Sequence, residues 1–288
     1  MARIELKGLA HSYKAIPAAP TDYALRQMDM TWEDGGAYES YVGRWSRRVA
    51  REFVGWLDAP SHAAWLDIGC GSGAVTHAIL ALADPTTVRG IDRSPDFVAY
   101  VRAHTADPRA SFAVGDPQAI PEPDAIGDVV VSGLMLNFAP EPARVIAELA
   151  RIIRPGGVVG VYVWDYAGGM QMMRYFWEAV AALNPMDAAL DERNRFATVA
   201  PGDLTHLFIE AGLRDVEFRS IEISTIFHDF DDYWAPFLSG QGPAPGYVTA
   251  LSEEQRAKLR ESLRGRLPVA TDSSISLIAR AWAVKGRR

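Results

Sequence analysis

Residues 65–73 combine features expected of a ligand-binding turn. The stretch reads WLDIGCGSG, an apolar run with an acidic residue near its end that then breaks into alternating glycines. Glycine suits such a turn because a Cβ would block both a positive φ angle and the close approach of a ligand. The apolar spacing of residues 74–82 predicts a helix directly afterwards, and the free N–H groups of its first turn would face the ligand. Strand, glycine turn and helix therefore predict a site for a nucleotide-like molecule.

The acidic residues around this turn discriminate between ligands. Gly69, Gly71 and Ala74 also satisfy the G-x-G-x-x-G/A pattern of dinucleotide sites. Asp67 lies two residues before the first glycine, where it would repel a pyrophosphate but can accept hydrogen bonds from an ammonium group. Asp92 ends a second short strand, residues 88–92, and is placed to hold a ribose diol. This combination resembles the class I S-adenosylmethionine-dependent methyltransferases, and S-adenosylmethionine is the cofactor that the resemblance implies.

The rest of the chain alternates between strands and helices. Further strands are predicted at 111–116, 128–138, 158–164, 213–220 and 275–284, and further helices at 38–58, 96–104, 141–153 and 201–211. The helix at 141–153, the Arg-Pro-Gly-Gly turn at 154–157 and the strand after it form a combined signature of class I methyltransferases. The resemblance implies an α/β fold with a Rossmann-like, seven-stranded, mostly parallel sheet, an antiparallel last strand and helical cap insertions.

The resemblance also assigns residues to the cofactor. Asp116 would accept a hydrogen bond from the adenine amino group, and an arginine on the N-terminal helix, Arg44, would pair with the methionine carboxylate. The backbone near Ser132 would meet the amino group of the cofactor. The full set of expected cofactor-binding residues is Arg44, Asp67, Gly69, Gly71, Gly73, Asp92, Arg93, Asp116, Pro117, Gln118, Ser132 and Leu134.

Two insertions, residues 165–199 and 227–268, interrupt the regular alternation and leave the sheet where loops cover the ligand-binding edge. Their aromatic residues and methionines predict a cap over a small, partly apolar or aromatic acceptor, although each ring alone is equally explained as core of the cap. The residues expected to line the acceptor pocket are Tyr38, Asn137, Phe138, Trp164, Trp177, Tyr233 and Trp234. The sequence of residues 162–169 resembles that of a bacterial branch of small-molecule methyltransferases related to the ubiquinone and menaquinone C-methyltransferases. This resemblance covers residues 38–288.

The sequence offers no convincing general base. Methyl transfer from a sulfonium is an in-line displacement of an already activated group, so the protein mainly positions the reactants and excludes water. Asp165, Tyr166 and His228 lie near the cap and are weak candidates, each also explained by a structural role. Cys70 is expected to fill space, and no Cys/His cluster has metal-ligand spacing.

Residues 1–36 differ from the rest of the sequence. They resemble the opening strands of an ABC transporter ATPase, with Tyr13 where an adenine-stacking aromatic would lie. The phosphate-binding G-x-x-x-x-G-K-[ST] loop of that family occurs nowhere in the chain, so the ATPase interpretation fails. We expect residues 1–36 to be an appendage to a methyltransferase domain at 37–288.

Composition limits the partners and the setting. The 288 residues carry a net charge of −7, which argues against a protein that binds a phosphate backbone. A single cysteine suits a reducing cytosol, and neither a signal peptide nor an apolar run of about 18 residues is present. We expect a cytoplasmic protein that acts on a small molecule and binds neither nucleic acid nor a membrane. Formation of a homodimer is possible.

Two alternative functions remain at this stage. An NAD-dependent oxidoreductase would share the glycines and Asp92, but no Tyr-x-x-x-Lys or comparable hydride-transfer constellation is present. A non-catalytic protein that binds S-adenosylmethionine or S-adenosylhomocysteine would share the whole cofactor site. An RNA methyltransferase is disfavoured because both a basic surface and an N/D-P-P-Y-type motif are lacking.

Overall fold

The computed structural model describes residues 41, 43–195, 201–240 and 242–288. Seven strands form one sheet in the order β3-β2-β1-β4-β5-β7-β6. Their bounds are β1 Ala64–Ile68, β2 Thr87–Asp92, β3 Ala110–Val114, β4 Gly127–Gly133, β5 Ile153–Trp164, β6 Arg214–Phe227 and β7 Ile275–Arg287. Strands β1 to β5 pair in parallel, whereas β7 lies antiparallel between β5 and β6. The predicted sheet, including its antiparallel last strand, is confirmed.

Helices cover both faces of this sheet. Their bounds are α1 Arg44–Leu57, α2 Ala74–Leu82, α3 Pro95–Ala103, α4 Pro142–Ile152, α5 Gln171–Leu183, α6 Glu192–Arg195, α7 Pro201–Glu210, α8 Phe230–Trp234, α9 Pro243–Ala250 and α10 Glu253–Arg264. Strand β4 shows why two layers are needed, because its run of Val129, Val130 and Val131 is fully buried with side chains on alternating faces. No described helix has the length and apolarity needed to cross a membrane.

The two faces hold separate cores. One core packs α1 and α2 against residues such as Trp65 and Val131, and the other packs α4 and α7 against Leu66 and Val130. On α1, Trp45, Val49 and Phe53 form a buried apolar face. Leu57 continues that face at the end of the helix, whereas its neighbour Trp56 is half-buried. The spacing of four from Phe53 keeps Leu57 on the sheet side of the helix.

Helices from the two predicted insertions pack together above the sheet. We call residues 170–195 and 228–267 the lid. Phe176 and Phe237 stack with ring centroids 4.6 Å apart, and the Tyr247 hydroxyl donates a 2.6 Å hydrogen bond to the Asp187 carboxylate. These contacts join segments separated by about 60 residues in sequence into one packed unit.

The structure corrects one local expectation. Helix α4 ends at Ile152, and β5 begins at Ile153, so the Arg-Pro-Gly-Gly stretch belongs to the first part of β5 rather than to a separate turn. Gly156 adopts a φ of +80° there, and the register between β4 and β5 shifts between Gly127 and Val129. The positive φ accommodates this irregularity without ending the strand. The ATPase-like stretch at 1–36 lies outside the described residues.

Candidate functional site

The turn between β1 and α2 requires its glycines. Gly69, Gly71 and Gly73 have φ angles of +73°, +50° and +94°. A Cβ on Gly69 would lie 2.5 Å from Cγ of Met135, and one on Gly73 would lie 2.6 Å from Cγ2 of Val101. The backbone of Gly69 is also fixed by a 2.7 Å hydrogen bond from its N–H to the carbonyl of Ile91. Side chains at these positions would strain the turn or displace its neighbours.

Asp92 ties the glycine turn to the end of β2. Its Oδ2 accepts a 2.9 Å hydrogen bond from the N–H of Gly71, and its Oδ1 accepts one of the same length from the N–H of Ser94. Burial raises the pKa of the Asp92 carboxyl, and the two backbone hydrogen bonds oppose that shift. Each carboxylate oxygen has a second lone pair, so Asp92 can accept further hydrogen bonds from a diol.

Asp67 is fully buried beneath the same turn. Its Oδ2 accepts a 2.6 Å hydrogen bond from the hydroxyl of Thr76, whereas its Oδ1 has no hydrogen-bond partner among the described residues. Burial raises the pKa of the Asp67 carboxyl to about 7. A buried carboxylate oxygen without a donor is costly, which marks this position as one where a donor from a ligand would be stabilising.

A cavity of about 450 Å³ opens at the carboxyl ends of the strands. Its charged lining residues all come from the β2 and β3 side of the sheet, which we call the acidic end: Asp92, Arg93, Asp96 and Asp116. The opposite side is formed by α1, the end of β5 and α5, and we call it the aromatic end: Tyr41, Ser46, Tyr162, Trp164, Tyr166 and Met173. The two ends are set apart because β1 and β4 lie between β2 and β5 in the sheet.

Most of the predicted cofactor residues line this cavity. They are Gly69, Gly71, Asp92, Arg93, Asp116, Pro117, Gln118 and Leu134. Gly73 instead caps the start of α2. Ser132 is buried on β4, away from the cavity lining, and its hydroxyl has no hydrogen-bond partner among the described residues. Asp67 lies outside the lining too, so only Asp92 and Asp116 of the three predicted carboxylates face the open space.

The predicted role of Arg44 does not fit its position. Its guanidinium donates a 3.1 Å hydrogen bond to Oδ1 of Asp232 and lies 4.3 Å from the ring centroid of Trp45. It also stacks on Phe227, with its Cζ 4.9 Å from that ring centroid. Arg44 therefore joins α1 to the lid instead of reaching the cavity.

The predicted acceptor residues divide into two groups. Phe138 and Trp164 line the cavity. Four others are buried elsewhere, namely Asn137, Trp177, Tyr233 and Trp234. The Trp177 N–H donates to the Glu192 carboxylate at 2.9 Å, and the Tyr233 hydroxyl donates to the carbonyl of Met172 at 2.8 Å, so both rings belong to the lid interior. Tyr38 lies outside the described residues.

The three weak catalytic candidates also separate. Tyr166 lines the aromatic end. Asp165 pairs with the guanidinium of Arg280 at 2.7 Å and is 5% exposed, so it anchors the turn after β5. The backbone N–H of His228 donates to the Asp232 carboxylate, and His228 is absent from the cavity lining. The structure therefore brings only Tyr166 of these candidates into the cavity.

Sequence reasoning missed four residues of the aromatic end, namely Tyr41 as a lining residue, Ser46, Tyr162 and Met173. Ser46 carried a usable signal, because it is a polar residue on the apolar stripe of α1 and is fully buried. A buried hydroxyl on such a stripe indicates that the helix faces something polar there. Tyr162 and Met173 carry no such mark, since an aromatic or methionine in a buried element is ordinary core.

These residues fit a molecule that joins a nucleoside to an amino acid. Asp92 lines the cavity and has lone pairs left for a ribose diol, whereas Asp67 lies beneath the turn with its unpartnered Oδ1, two residues before Gly69, which lines the cavity. The positive-φ glycines remove the side chains that would obstruct a ligand at the turn. S-adenosylmethionine has both of these parts, together with a sulfonium between them.

The comparisons with known proteins agree with this geometry. Residues 66–161 match a family model described as a methyltransferase domain. The 2-methyl-6-phytyl-1,4-hydroquinone methyltransferase of Synechocystis is 37% identical over 51% of this chain and 53% of its own length, about half of that relative. The ubiquinone biosynthesis O-methyltransferase of Burkholderia thailandensis is 27% identical over 58% of this chain and 73% of its own length.

Solved structures share the fold. The phosphoethanolamine N-methyltransferase 2 of Haemonchus contortus, in complex with S-adenosyl-L-methionine, superposes with a TM-score of 0.57 at 14% identity, over 92% of this chain and 60% of that one. The match to the methyltransferase model spans β1 to most of β5, the strands whose ends form the acidic end of the cavity and its floor. Residues 66–161 thus match a methyltransferase domain, and the fold around them is one that solved methyltransferases share.

Proposed function

We propose that this protein binds S-adenosylmethionine in the cavity and methylates a small, partly apolar or aromatic molecule. The observation that carries the proposal is the set of carboxylates at the ends of three adjacent strands, Asp67, Asp92 and Asp116, around a turn whose three glycines have positive φ angles. Ligands of open α/β sheets bind outside the carboxyl ends of the strands. Neither alternative function has an observation of its own in its favour.

Each end of the cavity has a separate task in this proposal. Asp92 would hold the ribose, Asp116 and Gln118 the adenine, and Asp67 the ammonium group. When bound, the cofactor supplies an activated methyl group on its sulfonium. Leu134 and Tyr162 lie on the side of the cavity nearer β5, where they would separate the acidic end from the acceptor.

The aromatic end would position the acceptor and exclude water. Trp164 is the last residue of β5 and Tyr166 follows it closely, and the Asp165–Arg280 ion pair between them fixes this turn to β7. A fixed wall of rings orders a bound acceptor with little loss of side-chain freedom, which is the main requirement of an in-line displacement. The Tyr166 hydroxyl is the group that we propose to hold the acceptor atom.

The names of two relatives support a ring-bearing acceptor, since one names a hydroquinone and the other ubiquinone biosynthesis, while two further relatives are named for malonyl-[acyl-carrier protein] and trans-aconitate. We further propose that residues 37–288 form one methyltransferase domain with cap insertions at 165–199 and 227–268, and that residues 1–36 are an appendage. The single cysteine supports a cytoplasmic setting.

Calorimetric titration with S-adenosylmethionine and S-adenosylhomocysteine tests the cofactor assignment. We expect both to bind and to raise the melting temperature, by about 5 °C at a hundredfold excess over Kd. Asp92→Ala should weaken binding by at least about tenfold through the loss of hydrogen bonds to a diol. Glu253→Ala, at a carboxylate that is 89% exposed, is the matched control and should change nothing.

The outcomes separate the candidate functions. Binding of NAD without binding of either methionine derivative would refute the proposal in favour of an oxidoreductase. Cofactor binding without methyl transfer to any member of a broad panel of acceptors would favour the non-catalytic binding protein.

A further inference from the structure

The aromatic end offers an acceptor uncharged polar groups and ring faces. Its lining consists of three phenols, one indole, one thioether and the hydroxyl of Ser46. Of the described residues, none with a charged side chain lines this end, whereas four line the acidic end. The cavity therefore divides its charge between its two ends.

The charges nearest to the aromatic end are carboxylates or paired cations. Glu192 is 3% exposed and lies close enough to Tyr41 for its negative charge to raise the pKa of that phenol, after the larger effect of burial. Asp165 is paired with Arg280. Two cations of α1 contact the Trp45 ring: Arg44 is paired with Asp232, and Arg48 donates a hydrogen bond to the carbonyl of Ser224. Because both are paired with carboxylates, the side chains of Arg44 and Arg280 provide no unpaired positive charge near this end.

We propose that the aromatic end selects acceptors that are uncharged when they bind, specifically ring-bearing hydroxyl compounds, and discriminates against carboxylates and phosphates. This inference rests on the proposed function. Tyr41 and Tyr166 are the specificity-determining residues, because their hydroxyls can donate hydrogen bonds to an uncharged oxygen while their rings pack against the acceptor.

The physical reason is the cost of burying an unpaired charge. A carboxylate moved into a largely apolar wall loses its hydration, and in the complex with S-adenosylhomocysteine, which has no sulfonium charge, no cationic side chain of the described residues lines this end to offset that loss. The buried Glu192 carboxylate adds repulsion of the same sign. An ammonium-bearing acceptor is disfavoured by the same loss of hydration, and in the complex with S-adenosylmethionine also by the like charge of the sulfonium.

Burial also keeps the Tyr41 phenol as a donor. Tyr41 is 1% exposed, and its pKa is raised well above the ordinary value by burial first and by Glu192 second. A phenol that stays protonated at neutral pH can donate to an acceptor oxygen but gives no negative charge that would attract a cation. The same argument favours a hydroxyl group or a carbonyl as the part of the acceptor that meets Tyr41.

Three probes that share a catechol ring test this selectivity: 4-methylcatechol, 3,4-dihydroxybenzoate and dopamine, which are uncharged, anionic and cationic at pH 7. Binding of each is measured by calorimetry on the full chain saturated with S-adenosylhomocysteine. We expect 4-methylcatechol to bind at least about tenfold more tightly than the carboxylate. Equal or tighter binding of the carboxylate or of dopamine, or failure of 4-methylcatechol to bind at millimolar concentration, overturns the proposal.

A charge placed at the aromatic end provides the second measurement. Met173→Arg should reduce the preference for the uncharged probe over the carboxylate by about tenfold or more, because a guanidinium there can pair with the anion. Met186→Arg adds the same charge to the lid at a residue that is 84% exposed, and it should leave the preference unchanged. An unaltered preference in a folded Met173→Arg variant contradicts the proposal.

Removal of single hydroxyl groups provides the third measurement. Tyr166→Phe should weaken 4-methylcatechol about fivefold with unchanged affinity for S-adenosylhomocysteine, and Tyr175→Phe, at a half-buried tyrosine of the same region outside the cavity lining, should have no effect. The affinity for S-adenosylhomocysteine separates the two proposals. If the unaltered protein does not bind S-adenosylhomocysteine, the cofactor assignment is refuted. If it binds S-adenosylhomocysteine but does not prefer 4-methylcatechol, only the proposed selectivity is refuted.

Discussion

The two ends of the cavity are built in different ways. The acidic end comes from residues directly after β2 and β3, where Asp92 is held by backbone N–H groups at 2.9 Å. The aromatic end is assembled from α1, the end of β5 and α5, which are distant in sequence. Side-chain packing holds it together, such as the contact between the rings of Phe53 and Tyr162 at 4.7 Å. One end depends on the local backbone and the other on tertiary packing.

The family match follows the same division. The charged residues of the acidic end, at positions 92 to 116, all lie within the matched range 66–161. Every residue of the aromatic end lies outside that range, on either side of it. Similarity to methyltransferases thus concerns the end assigned to the cofactor. The residues that we propose to select the acceptor lie outside the range of the family model.

The largest effect expected from this division is on the glycine turn. Gly69→Ala should destabilise the protein by about 3 kcal/mol and abolish cofactor binding, because the new Cβ would combine a positive φ with an approach of 2.5 Å to Met135. Chemical denaturation gives the free energy of unfolding, and calorimetry gives the affinity.

Gly71→Ala is the matched control for that prediction. It has a positive φ of +50°, but a Cβ there meets nothing within 4 Å, so only the backbone strain of about 1 kcal/mol should appear. Equal destabilisation by the two variants would show that close packing at Gly69 is unimportant.

An intermediate effect is expected from the pH dependence of Asp67. Its pKa of about 7 lies above the ordinary value, so the protonated form dominates below pH 7 and the carboxylate above it. Since an ammonium group needs the carboxylate, affinity for S-adenosylmethionine should increase by up to about tenfold between pH 6 and pH 8. In the unliganded protein the sign is opposite, because burial favours the protonated form of Asp67. The free energy of unfolding should fall as the pH rises from the ordinary pKa of 3.8 to about 7, and should level off above that.

Asp67→Asn is the control, as it keeps the shape and removes the titration. The variant should bind the cofactor with little dependence on pH over this range, and any slope that remains reports the amino group of the cofactor itself. An identical pH profile in both proteins would separate Asp67 from the ammonium group.

The smallest effect is expected at Arg44. Arg44→Ala removes a half-exposed ion pair with Asp232 and contacts with two rings, so unfolding should become easier by about 1 kcal/mol or less. Affinity for S-adenosylmethionine should stay within about twofold, because Arg44 lies outside the cavity lining. A loss of affinity as large as that expected for Asp92→Ala would restore the role predicted from the sequence.

Much of the acidic end could be predicted because its geometry follows from local rules. Glycines at 69, 71 and 73 indicate positive φ angles, and an acid after a buried parallel strand is carried to the common edge of the sheet. The lid was predicted only in outline. The aromatic residues of the insertions predicted a cap with Trp177 and Tyr233 in the acceptor pocket, but each ring packs inside the lid and not into the cavity.

The sequence by itself determined the order of strands and helices, the glycine turn and the carboxylates of the acidic end, since each depends on residues that are neighbours in the chain. Only the tertiary structure decided which buried rings face the cavity, that Ser46 and Met173 join them, and that Arg44 pairs with Asp232. Periodicity identifies the apolar face of a helix, but what lies opposite that face depends on elements more than a hundred residues away.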